Sequence, residues 1–522
     1  MDPDTKPLSQ TNAPSEAGRR VETDTPADTD TPADSKPLPE ANAPSGAKTL
    51  SEKGRWLVLT VIVIKMIMDG LDGSMLNIAL PSISRSLGVT SGAIVWVVSA
   101  YSITTSTTVL FFGRLGDMIG KTRFYLIGIS IYALSSFVSG AANSLGMLVL
   151  ARVIQAVGAA CTMANSQGII TMVFPQHQRG RALGIYGGAI SLGTLAGPTL
   201  GGLIVAYMNW QYIFYLKVPI AILALIFGLR FFPKDTPEQK EQMDFPGALL
   251  WILAVVPLLY SLQEGYASGY SSAPILIGIA ISLLSFALFF FLQHKKTMPL
   301  LDLHIFKNPL YSISVFTAFV LSFTNSFRGI IIPFYMQGIL GTPVNIAGMY
   351  MSISPIIVML VTPVSGFLSD RVGGERLGIW GQVVNCIGLL LLSTLTKTSS
   401  VASMIAYFCI VNFGTALFQA PNNTLIMSSL PREKLGIGGS ASMSIRNIGG
   451  STGIAFTTAV LYGGMSKALG YRVTGYTQGS GLEDAFMYGM RNAFLIASAI
   501  CMIGIALSVL KIVVANRKRQ GV

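Results

Sequence analysis

The amino-acid sequence predicts an all-α, polytopic membrane protein. Three observations carry that prediction. From Trp56 onward, apolar runs follow one another, each near the roughly 20 residues that cross a bilayer. Only 11% of the 522 residues are charged, against about 25% in an average soluble chain. The basic residues collect in alternate short loops, as the positive-inside rule requires. A formal charge of +12 would otherwise suggest nucleic acid. Confined to loops, it orients the chain in a bilayer instead, and no nucleic-acid partner is expected.

Residues 1–50 come first and differ from the rest. They are rich in Pro, Asp, Thr, Ser and Ala, and the segment Asp4–Ser15 recurs as Asp34–Ser45. Such a stretch cannot bury enough apolar surface to offset its ordering entropy. It is read as a disordered cytoplasmic tail. It has no basic stretch followed by an apolar one, so it is not a signal peptide.

About fourteen spans are expected after it: 56–79, 93–113, 124–141, 145–170, 182–206, 211–231, 246–264, 273–292, 310–334, 345–367, 377–395, 402–427, 438–463 and 490–513. The pair 246–264 and 273–292 reads either as one hairpin or as two spans. One set of loops holds Arg114, Lys121, Arg123, Arg179, Arg181, Lys234, Lys240, Lys295, Lys296, Lys307, Arg371, Arg376, Arg432 and Lys434. The opposite set holds Arg85, Lys397, Lys467 and Arg472, with Arg491 at an edge. Both termini are therefore expected in the cytoplasm of a multi-pass cell-membrane protein.

The four cysteines, Cys161, Cys386, Cys409 and Cys501, sit in apolar runs without CxxC spacing and read as small core residues. The three histidines, His177, His294 and His304, fall outside those runs. Proton chemistry within the membrane must then use carboxylates. No metal site, cofactor or enzyme activity is expected, and no GxxxxGK[ST] loop occurs that would mark a transport ATPase.

An internal repeat adds a functional hint. Gly113, Leu115, Asp117, Gly120 and Arg123 recur at the same spacing as Gly366, Leu368, Asp370, Gly373 and Arg376. Each copy follows the second span of a six-span set, and duplicated halves mark secondary transporters. At this point the sequence resembles the major facilitator superfamily, more narrowly its fourteen-span drug:proton antiporter branch. Four motifs carry the resemblance, over about residues 52–515: Leu71–Pro81 (LDGSMLNIALP), Gly113–Arg123, Arg152–Gly158 (RVIQAVG) and Gly193–Gly202 (GTLAGPTLGG). Trp210–Pro219 opens the sixth span.

The resemblance implies two six-helix bundles rocking about a central cavity, with two extra spans between them. The domains become a 1–50 tail, a 51–232 bundle, a 233–307 linker with two spans, a 308–515 bundle and a 516–522 basic tail. It implies proton-coupled export of small organic molecules, drugs or metabolites, by a monomer whose partners are substrate, protons and the lipid bilayer. Multidrug efflux belongs to this branch. The alternative is uptake or exchange of an anionic or zwitterionic metabolite. A remote one is a receptor or scaffold that transports nothing.

The residues that would carry the chemistry are few. Asp69 and Asp72 are the carboxylates well inside a span. A charge there costs about 2.5–3.5 kcal/mol or more, so a functional reading is the default. Lys65 shares their helix face and would neutralise Asp69 at i, i+4. Counted along oppositely directed helices, Asp72 and Arg152 both fall ~10 Å below the outer surface, so they are expected to pair. The resemblance assigns proton coupling to this set, with Asp72, which matches its motif, as the proton carrier, Arg152 as its partner and Asp69 as the competing acid.

Gly193, Gly197, Pro198, Gly201 and Gly202 form a small-residue face for close helix packing; in the family this is the antiporter motif. Gly113, Asp117, Gly120, Arg123, Asp370 and Arg376 are read as gating residues in short cytoplasmic loops, with the two acids latching onto Arg or a helix N-terminus. Asn165, Gln167, Asn325, Arg328, Gln382 and Asn422 are cavity candidates, some of which would instead bridge helices. Lys217 stands where the family usually has Asn. With Lys65 and Arg328 it adds positive charge near the path, which counts against a purely cationic substrate and makes an anionic or zwitterionic one plausible.

Overall fold

The computed structural model describes residues 51–235, 244–296, 301, 303–431, 435–476 and 480–519. The expected tail at 1–50, the loop residues Lys240, Arg432 and Lys434 and the last residues of the basic tail lie outside the described residues.

The described residues are helical throughout, without strands. The first set is α1 (Glu52–Leu87), the one-turn α2 (Ser91–Ile94), α3 (Trp96–Ile119), α4 (Lys121–Gly140), α5 (Leu145–Val173), α6 (Gln176–Tyr207), the one-turn α7 (Tyr212–Tyr215) and α8 (Lys217–Phe231). A separate pair follows, α9 (Phe245–Ser268) and α10 (Ala273–Lys295). The last set is α11 (Pro309–Phe334), α12 (Val344–Val372), α13 (Gly374–Ser393), α14 (Val401–Ser428), α15 (Leu435–Leu469) and α16 (Glu483–Arg519).

Twelve of the described helical stretches are long and apolar enough to cross a membrane. The two remaining long helices, α1 and α15, have 36 and 35 residues. They are more polar: α1 carries Lys65, Asp69 and Asp72 near its middle, and α15 is rich in Gly and Ser. The region 246–292 is a pair of separate helices.

Local chemistry explains the boundaries. Ser51, Thr90, Ser144 and Ser400 cap the N-termini of α1, α2, α5 and α14 by accepting a backbone N–H. Gly88, with φ 63°, ends α1 in the left-handed region that glycine adopts without strain. The span expected to stop at residue 79 runs on through Pro81 to Leu87. One proline costs a helix a single hydrogen bond, and neighbouring helices hold the rest in place.

Packing groups the helices into two bundles. In the first, α1 lies along α6, α5 packs between α3 and α4, and α8 rests on α4 and α1. In the second, α13 packs between α14 and α16, α11 along α15, and α12 along α14. The bundles meet where α6 touches α12 and α3 touches α15, and α9 leans on both α15 and α3. Call the end where α1 begins and α16 finishes the terminal end. The inter-bundle hydrogen bonds gather at the far end and at mid-depth. At the far end Ser91 bonds the Tyr462 hydroxyl at 2.7 Å and accepts the Tyr476 N–H, while Gln337 donates to the Ile78 carbonyl at 2.9 Å. At mid-depth Thr199 bonds Ser352, and Ser106 bonds Ser451.

Candidate functional site

The helical repeat puts Lys65, Asp69 and Asp72 on one face of α1. The structure closes a buried charge network around them. Arg152 on α5 donates from Nη1 to Asp72 Oδ2 at 2.6 Å, and Lys217 at the start of α8 donates to Asp72 Oδ1. Lys65 donates to Asp69 Oδ1 at 2.5 Å. Lys65, Asp72, Arg152 and Lys217 are each no more than 2% exposed.

Further contacts fix the arginine. Its Nη1 also donates to Gln155 Oε1 at 2.5 Å, and Gln155 donates to Ser136 Oγ at 2.8 Å. Its guanidinium stacks 4.1 Å from the Tyr101 ring, a cation–π contact strengthened by exclusion of water. Lys65 lies 4.0 Å from the Tyr132 ring. Asp72 therefore has both oxygens occupied by cations. Asp69 Oδ2 is buried and meets no hydrogen-bond partner among the described residues. Asp69 has the open lone pair; Asp72 is braced.

The network is tied to the glycine face of α6. A Cβ at Gly193 would fall 2.2 Å from the Ile67 carbonyl oxygen on α1, and one at Gly202 would fall 2.7 Å from the Val344 carbonyl oxygen on α12. Gly197 and Gly201 meet Ser74 and Met75 of α1, and the Pro198 carbonyl meets Gly348 of α12. So α6 is pressed between the helix that carries the acids and a helix of the other bundle.

The proposed latch is arranged differently from the sequence expectation. Asp117 lies in the last turn of α3, and Asp370 lies within α12, not in loops. The connection after Asp117 is the single residue Gly120, with φ 119°. Its counterpart after Asp370 is Gly373, with φ 96°. Asp117 pairs with Lys121 at 2.5 Å across that joint. The N-terminus of α4 is taken by Asp235 from the linker, whose carboxylate accepts the N–H groups of Thr122 and Arg123 at 2.9 and 2.7 Å. The Arg123 and Arg376 side chains are exposed and Gly113 is half-buried, while the Asp370 side chain lies outside the described residues.

A cavity of ≈ 270 Å³ opens between α11, α14 and α15, in the half of the second bundle nearer the terminal end. Ala318, Leu321 and Phe418 form its apolar wall; Asn325, Gln419, Asn423, Arg446 and Asn447 are among its polar groups. Among the cavity candidates from the sequence, Asn325 and Asn422 line it. Asn422 is already engaged: Oδ1 accepts Lys511 at 2.7 Å and Thr317 at 3.3 Å, and Nδ2 donates to the Ser314 carbonyl at 3.0 Å.

The other candidates lie elsewhere. Asn165 bridges α5 to the Phe112 carbonyl of α3. Gln382 bridges α13 to Ser508 of α16 at 3.0 Å. Arg328 donates to Asn412 Oδ1, and Gln167 is exposed. Neither Lys217 as a partner of Asp72 nor Lys511 as the anchor of Asn422 was found from the sequence. Their partners lie 145 and 89 residues away. The one available signal was a lysine inside an apolar run.

This architecture, two packed helical bundles with buried charges at membrane depth, is that of a multi-pass membrane transporter. The comparisons with known proteins make the class specific. The family model of the Major Facilitator Superfamily matches residues 62–454, and the chain belongs to that family. A riboflavin transporter, RibZ, of Clostridioides difficile (strain 630) is 32% identical over 458 residues, covering 88% of this chain and 97% of its own. The multidrug resistance protein Stp of Mycobacterium tuberculosis (strain CDC 1551 / Oshkosh) is 31% identical over 418 residues, 80% and 78% of the two chains. The crystal structure of a bacterial homologue of the human lysosomal transporter Spinster, inward-facing and unoccupied, superposes with a TM-score of 0.63 at 15% identity, covering 88% of this chain and 98% of that one. That likeness concerns the fold.

Proposed function

We propose that this protein exports small organic molecules across the cell membrane in exchange for protons, by alternating access, with both termini in the cytoplasm. The observation that carries the reading is the buried α1 network. Asp69 offers an unpartnered oxygen beside Asp72, which Arg152 and Lys217 hold. Asp69 takes the proton, and the Asp72–Arg152–Lys217 group sets the local field. Arginine keeps its own proton and acts through its charge. A buried acid that changes charge must change partners, because an uncompensated charge at this depth is costly. The α1–α6–α12 contact passes that change to the other bundle. Basic loops at the terminal end support its cytoplasmic placement.

A second reading, proton-coupled uptake or exchange, uses the same network with the opposite sign. The resemblance to a protein named for riboflavin transport keeps it in view. Liposome flux under an imposed pH gradient tests both. Wild type should move substrate uphill, with the direction of the gradient separating export from uptake, and Asp72→Asn should not. Uphill pumping by Asp72→Asn and Asp69→Asn alike would remove helix α1 from the coupling.

A further inference from the structure

We infer that the pocket between α11, α14 and α15 binds the anionic group of an organic acid through Arg446. This rests on reading that pocket as part of the substrate path. The other positive side chains near the path are already engaged: Lys65 with Asp69, Lys217 with Asp72, and Arg328 with Asn412. Arg446 is different. It lines the cavity from α15, and no hydrogen bond or ion pair joins it to a described residue. A guanidinium at that depth without a counter-charge is costly, and a bound carboxylate or phosphate would repair it with two parallel hydrogen bonds.

The rest of the pocket suits the same ligand. Lys511 adds a second positive charge immediately behind the wall, bonded to the neutral Thr317 Oγ1 at 3.2 Å and Asn422 Oδ1 at 2.7 Å. Its ammonium holds Asn422 rigid and biases the local field toward anions. Phe418, Leu321 and Ala318 give an apolar surface for the body of the ligand, and Asn325, Gln419, Asn423 and Asn447 offer amides for further polar substituents. The polar lining residues are amides, hydroxyls and Arg446, with no Asp or Glu among them.

Two dyes on one xanthene scaffold test the charge preference: anionic fluorescein and cationic rhodamine 123. Binding to the purified full chain is read by fluorescence anisotropy. Wild type should bind fluorescein at least about 10-fold more tightly. Arg446→Gln should weaken fluorescein by about 10- to 100-fold, the range of a lost charged hydrogen bond, and leave rhodamine 123 unweakened. Arg446→Lys should retain part of the affinity and decides the case if the Gln variant does not fold.

Ala318→Trp, which fills the cavity, separates the two readings. If it abolishes dye binding while wild type shows no preference for the anion, the pocket stands and the anion inference falls. If it leaves binding of both dyes intact, the pocket is not the substrate site and both readings fall. Tighter binding of rhodamine 123 to wild type, or no binding of fluorescein, also overturns the inference.

Discussion

In the first bundle Lys65, Asp69, Asp72, Arg152 and Lys217 all meet an opposite charge, whereas in the second Arg446 faces a cavity whose lining holds no acid. The two bundles share a repeated turn, at Gly120 and Gly373, yet their polar residues are spent differently. Pairing within the first bundle suits a group whose charge changes during a cycle while the surroundings stay fixed. An open guanidinium suits a group that waits for its counter-charge to arrive from outside. On the proposed reading, coupling falls to one half and recognition to the other.

The largest effect should come from separating those tasks. Asp69→Asn should abolish uphill, gradient-driven flux while leaving dye binding within about twofold of wild type. If the variant loses binding as well, the two tasks share one site and the division between halves is wrong. The next effect concerns the seam. Gly193→Val places methyl groups against the Ile67 carbonyl, where even a Cβ would sit at 2.2 Å. Overpacking of this kind costs about 1–3 kcal/mol, so the apparent melting temperature should drop and transport should slow. Gly188→Val on the same helix, where a Cβ meets nothing within 4 Å, should do neither; equal damage from both would mean the seam is not specially tight.

A smaller effect is expected at the linker. Asp235→Ala removes the cap of α4, worth about 1 kcal/mol, and should speed hydrogen exchange at Thr122 and Arg123. Unchanged exchange there would show that the cap is not held in the membrane. The smallest effect concerns Asp244, which caps α9 outside the span. Burial pushes its carboxyl up, but hydrogen bonds from Lys296, Gln293 and the Gly247 N–H outweigh that and hold it below the ordinary carboxylate value. A depressed folded value contributes stability above the unfolded value and loses it as pH falls through the folded one. Asp244→Ala should therefore lower the melting temperature slightly at pH 7, and the gap from wild type should close on acidification below about pH 4. A gap that did not shrink at all on acidification would point to packing rather than charge.

Much of this was legible in the sequence because membranes impose a length and a polarity that single residues report. Spans, loop charge and the acids of α1 are local patterns. The partner of Asp72 on α5 was reachable by counting residues along two helices, since a fixed rise converts sequence position into depth. Rotation about the helix axis has no such ruler. That is why Asn165 and Gln382, at plausible depths, turned out to bridge helices, and why the cavity-facing position of Arg446 was not legible. The surroundings of Asp117 were hidden for a related reason: it pairs with Lys121 across a one-residue glycine joint, and the residue that caps α4 comes from a linker more than a hundred positions away.

The compressed glycine face of α6 bears on how this protein could acquire new cargo. With α1 on one side and α12 on the other, that face has almost no room for larger side chains, so drift there is purged whatever the substrate. The cavity-lining residues of α11, α14 and α15 include no glycine held in this way. Variation that retunes which compounds are carried should therefore accumulate on the second bundle, while the first is inherited nearly intact, and laboratory selection for altered resistance should return substitutions with the same lopsided distribution.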